Sequence, residues 1–145
     1  MILKLQNMPS IRIQDKKQGT SGRFLSFDLK DILAVISEPI LKSKWRCTKV
    51  WCIRVIDGEP MSFRDKRFKL SGEELKDFAS KAAQVIDGRF EAKTEGAAKN
   101  PWLVIVAFDS TFYEVWSSKS WVIEKLKDRF DDVIDVSGDL TEPVG

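Results

Sequence analysis

The sequence contains no histidine, and that single absence excludes more chemistry than any residue present adds. Serine–histidine and cysteine–histidine nucleophile pairs, histidine-containing zinc sets and every imidazole general base are ruled out. Cysteine is nearly as scarce, with two in 145 residues, so one chain cannot build a four-sulfur zinc site. The eight glycines are scattered, and no phosphate-cradling loop, dinucleotide fingerprint or EF-hand loop is present. No cofactor or metal site is therefore expected. No apolar run approaches the ~20 residues needed to span a bilayer. Residues 1–9 are too polar and too short for a signal-peptide core, which places the protein in the cytoplasm as an expectation.

Cys47 and Cys52 lie five apart in a stretch with strand character. Side chains alternate along a strand, so an odd spacing sends the two sulfurs to opposite faces and forbids a disulfide between them. Both read as reduced, buried thiols.

What is abundant is bulk. Nine Phe, five Trp and an apolar fraction of 43% supply a core, and 145 residues without a linker, repeat or break in composition read as a single domain. The expected fold is α+β: a mostly antiparallel sheet of about five to seven strands with two or three helices packed on it. Ile2–Leu5 and Ile11–Ile13 are short apolar stretches, and Arg23–Phe27 is expected to pair with the second as a long-looped hairpin. Asp28 is placed to cap a helix carrying Ile32, Leu33 and Ile36. Trp45–Ile56 alternates, with Trp45, Cys47, Lys49, Trp51, Ile53 and Val55 on one face and Arg46, Thr48, Val50, Cys52, Arg54 and Ile56 on the other. Asp57-Gly58-Glu59-Pro60 is a turn, and Ser62–Leu70 a charged returning strand.

Ser71-Gly72-Glu73-Glu74 is a capping box, followed by a helical stripe of Leu75, Phe78, Ala79, Ala82 and Ile86 that Gly88 is expected to stop. Arg89–Lys93 is a strand, 95–101 a loop, and Trp102–Phe108 a central strand apolar on both faces. A two-residue Asp109-Ser110 turn into Thr111–Trp116 sets Ala107 opposite Phe112 and Ile105 opposite Glu114. Ser117 or Ser118 is expected to cap a last helix with Val122, Ile123, Leu126 and Phe130 inward. Val133–Val136 makes a short final strand, and the tail from about 137 is expected to be loose.

Four constellations carry possible chemistry. Asp109 and Glu114, at the end of a buried strand beside Tyr113 and Ser110, are the only carboxylates placed as candidates for acid–base catalysis, and desolvation of Glu114 would raise its pKa. Glu91-Ala92-Lys93 matches the acid-x-Lys pattern of metal-dependent nucleases. It is set aside because Asp87 is too close along the chain and Asp57 sits in a turn.

Charge is uneven although the net value is only +2. Lys42, Lys44, Arg46, Lys49, Arg54, Arg64, Lys66, Arg67 and Lys69 face Asp57, Glu59 and Asp65 alone. From Asp128 to Glu142 acids dominate, with Arg129 opposing. The basic hairpin 42–69, with Trp45 and Trp51 interleaved, is a candidate surface for nucleic acid or another anionic ligand. Against this, the alternation puts both tryptophans on the face opposite Arg46 and Arg54. Finally, Phe112, Tyr113 and Trp116 are suited to anchoring a protein partner.

The leading expectation is a non-catalytic protein-binding module: an inhibitor, an immunity-type protein or an accessory subunit. The alternative is a nucleic-acid or anionic-ligand binder using hairpin 42–69, and the third reading is a carboxylate-dependent hydrolase at Asp109 and Glu114.

Overall fold

The computed structural model describes residues 8–20, 22–94 and 100–136. The Ile2–Leu5 stretch, most of the 95–101 loop and the tail beyond 136 lie outside them.

The described chain runs β1 (Ser10–Ile13), β2 (Lys16–Gly19), β3 (Gly22–Leu25), α1 (Leu29–Ile36), α2 (Glu38–Leu41), β4 (Ser43–Ile56) and β5 (Glu59–Ser71). It continues through α3 (Gly72–Lys81), β6 (Ala82–Thr94), β7 (Leu103–Phe108), β8 (Phe112–Ser117), α4 (Ser120–Arg129) and β9 (Val133–Asp135). This is an α+β fold whose seven-stranded sheet has the order β5-β4-β6-β7-β8-β1-β9, every neighbouring pair antiparallel. Because β5 and β6 both run antiparallel to β4, α3 carries the chain across that strand; α4 likewise carries it from β8 across β1 to β9.

The helices share one face of the sheet, with α1 packed against α3 and α4. Their apolar stripes are the ones the spacing predicts: Leu29, Ile32, Leu33 and Ile36 on α1; Leu75, Phe78 and Ala79 on α3; Val122, Ile123 and Leu126 on α4. Two capping boxes start the first and third helices. Asp28 accepts from the Leu29 amide at 2.9 Å while Asp31 accepts from the Asp28 amide at 2.8 Å. Ser71 and Glu74 exchange equivalent bonds at 3.1 and 2.8 Å. Gly72 follows because α3 abuts α2, and a Cβ there would collide with the Ile40 carbonyl and the Leu41 backbone.

Five local expectations are corrected. First, β3 pairs with β2 in a separate two-stranded hairpin, whereas β1 lies between β8 and β9. Second, α3 ends at Lys81, and Ala82–Gly88, read as helix and stop, is strand paired with β4, where β-branched Val85 and Ile86 fit a pleated surface. Third, the β7–β8 turn uses three residues, with Asp109 and Ser110 at φ 47° and 59°. The extra residue moves the register by one: Ala107 faces Tyr113, Ile105 faces Val115, and Glu114 faces Val106. Fourth, Lys119 is the N-cap of α4, and the Ser117 hydroxyl accepts from its amide at 3.0 Å, just ahead of the helix.

The fifth correction decides where the site lies. Lys49 adopts φ 49°, and the alternation of β4 skips there. Trp45, Cys47, Val50 and Cys52 all join the core under the helices, so both cysteines lie on one face, not on opposite faces. The partner strand skips at the same level: Phe63 and Phe68, an odd five residues apart, both pack on Phe78. No glycine marks the irregularity. Burial pushes the Cys47 thiol up to about 12 and raises Cys52 as well, which keeps both inert as nucleophiles.

Candidate anion-binding face

With the parity of β4 fixed by Lys49, the helix-free face of the sheet can be read row by row across β5, β4 and β6. Residues directly opposite in an antiparallel ladder project to the same side. The first row is Ser71, Lys44, Lys93; the second is Lys69, Arg46, Glu91; the third is Arg67, Thr48, Arg89. Six of these nine positions are cationic and one is acidic. Two like-charged pairs stand directly opposed: Arg46 against Lys69, and Lys44 against Lys93.

Glu91 is buried and ion-paired with Arg89, N–O 2.6 Å. The side chains of Arg46, Lys69 and Lys93 form no hydrogen bond or ion pair among the described residues. Where β4 begins and β5 ends, a cleft of about 400 Å³ opens between Lys44, Arg46, Lys69 and Lys93, with Trp45, Leu70, Ser71, Glu74 and Glu91 completing its wall.

The same skip moves Trp51 onto this face. The Arg64 guanidinium stacks 3.8 Å from its ring, and its indole N–H donates to Ser62 Oγ at 3.1 Å. Arg54 goes the other way, over Phe63 and Phe78 under the helices. Of the predicted basic residues, Arg46, Arg64 and Arg67 therefore share the open face, Lys49 and Lys66 stand at the irregularity, and Arg54 is withdrawn. Arg89 and Lys93 belong to the patch although the hairpin reading omitted them; their alternation around Glu91 was the available signal. Beyond the patch, the hairpin tip leaves Val55, Ile56 and Met61 about half exposed.

The other half of this face is closed. Val104, Val106 and Trp116 are buried with Met8 and Phe108 beside them. Glu114, also buried, meets Arg12 at 2.5 and 2.7 Å, and Arg12 lies 4.3 Å over Phe112, which stacks on Phe108. Asp109 sits apart in the turn, its amide donating to Asp87 at 2.8 Å, and among the described contacts it shares no partner with Glu114. Trp116 and Tyr113 are too deeply buried to touch a partner of the folded chain.

Tyr113 instead makes a bond the sequence did not announce. Its hydroxyl donates to Asp28, which also accepts from the Leu29 and Val85 amides at 2.9 and 3.1 Å. Burial raises the Asp28 carboxyl above its ordinary value, with Asp31 adding to the rise, and raises the Tyr113 phenol well above its own. Asp28 borders a second cleft, but with three donors satisfied it acts as a tie between α1, β6 and β8.

No family model, curated protein or solved structure matches this chain. Among the described residues, no helix is long and apolar enough to cross a membrane.

Proposed function

We propose that this chain is a non-catalytic binding module whose β5-β4-β6 face docks an acidic surface of another protein, in an inhibitory, immunity-type or accessory role. The observation that supports this reading is the opposition of Arg46 and Lys69, like charges without an ion pair among the described residues, with Lys93 unpaired beside them. Directly opposed like charges destabilise a ladder. A sheet that carries such an unrelieved pair gains from an anionic partner what it loses alone. The Arg64–Trp51 stack extends the surface with residue types that anchor protein interfaces, and half-exposed Val55, on the same side of β4 as Trp51, continues it toward the hairpin tip.

Capture by a tagged chain from its own source tests this, run beside the charge reversals Arg46→Glu with Lys69→Glu. The expected partner is acidic, elutes with rising salt and is lost on reversal. A partner indifferent to both reversal and salt overturns the reading.

One observation favours a second reading, single-stranded nucleic acid. Trp51 lies on the same side as Arg46, so the separation of aromatics from cations expected from strict alternation does not hold. Arg64 already covers the ring that a base would use, which makes this the weaker reading. A salt-sensitive mobility shift with oligonucleotides would favour it over a protein partner.

A further inference from the structure

We infer that the cleft between Arg46, Lys69 and Lys93 is a site for a phosphate monoester dianion. The inference rests on the reading of the basic face as the docking surface, and it names the group that face holds. Leaving out Lys44, which has a partner of its own, and Glu91, which Arg89 holds, the charged side chains lining the cleft are Arg46, Lys69 and Lys93 against Glu74, an excess of two positive charges. A phosphate monoester carries about −1.5 to −2 at pH 7, so it neutralises that excess, whereas one carboxylate leaves half of it.

Among the described residues neither carboxylate forms an ion pair with Arg46, Lys69 or Lys93. Glu74 is engaged by the Ser71 amide in the capping box, and Glu91 by Arg89. Arg46 and Lys69 stand on neighbouring strands, roughly 4.8 Å apart at the backbone, close enough to hold different oxygens of one phosphoryl group. Arg46 supplies a planar fork and the two lysines point charges, the mixture that phosphate sites use. The volume, about 400 Å³, exceeds a phosphoryl group and falls within the range of small-ligand sites, leaving room for the group that bears it. The α3 N-terminus also opens here, but its capping box engages the Ser71 and Glu74 amides, and the side-chain cations carry the site.

Titration of the purified chain with three probes tests the inference: inorganic phosphate, a phosphoserine peptide and a nucleoside monophosphate. At least one of them should bind, and which binds best identifies whether the phosphate comes from a protein side chain or a small molecule. The unphosphorylated peptide and its glutamate version should bind at least about tenfold more weakly. Affinity for the phosphoserine peptide should fall about tenfold from pH 7.5 to pH 5, as the second phosphate proton returns near pH 6. Arg46→Gln and Lys93→Gln should each weaken binding about tenfold without lowering the melting temperature, while Lys30→Gln, on α1, should not.

Binding of no phosphorylated probe, or equal binding of the glutamate peptide, overturns the phosphate site and leaves the docking surface standing. A partner insensitive to charge reversal would instead remove the docking surface.

Discussion

Arg46 and Lys69 face each other across the β4–β5 ladder, and neither forms an ion pair among the described residues. This opposition separates stability from binding. Lys69→Glu converts a repulsive pair into an attractive one, so the urea midpoint should rise, by roughly 0.2–1 kcal/mol in free energy. The same variant should bind an acidic partner less well. A variant that loses stability would mean that another group, not a binding partner, relieves the repulsion.

Lys49 sets the geometry on which that face depends. A lysine at φ 49° is strained relative to glycine by about 1 kcal/mol. Lys49→Gly should therefore hold or raise the melting temperature. Lys49→Val should lower it, because a β-branched residue is a poor occupant of the left-handed region. Thermal unfolding of the two variants side by side checks the sign.

Much of the architecture was legible before the structure. Ser71 and Glu74 announced their capping box, Asp28 its helix, and the stripe from Val122 to Phe130 its buried side. What was illegible was parity. A skip at a lysine has no composition signal, and a three-residue turn at Asp109-Ser110-Thr111 differs from a two-residue one by a single position, yet each flips every side chain beyond it. The basic patch was seen in the sequence as a run in one hairpin. It is a grid over three strands, because β6 returns beside β4 only after a crossover that local spacing does not encode.

The tie between Tyr113 and Asp28 should be worth about 1.5–3 kcal/mol, the range for a hydrogen bond to a charged group, measured as the loss in Tyr113→Phe. Its pH signature follows from the raised Asp28 carboxyl. Folded Asp28 holds its proton more tightly than the unfolded residue near 3.8, so its contribution is fully present below that value and fades as pH rises through the higher folded value. The stability of the parent chain relative to Asp28→Asn should decline over that window. Tyr113, raised and buried, acts alike at the alkaline end: its contribution is fully present below pH 10 and fades as pH rises above that.

Glu114 separates a structural role from a catalytic one. Its pair with Arg12 is buried on the glutamate side and about a third exposed on the arginine side. Glu114→Gln should thus cost about 1–3 kcal/mol, less than for a fully buried pair. Hydrolysis at Asp109 and Glu114 predicts the reverse, an active protein that loses turnover and keeps its stability. Denaturant unfolding of this one variant distinguishes them.

The docking face is tested most directly by the binding of the captured acidic partner to the parent chain and to Arg46→Glu with Lys69→Glu, measured across a salt series. Affinity should fall steeply with salt in the parent and be lost in the double reversal while the fold survives. Equal affinity in both chains at every salt concentration would contradict it.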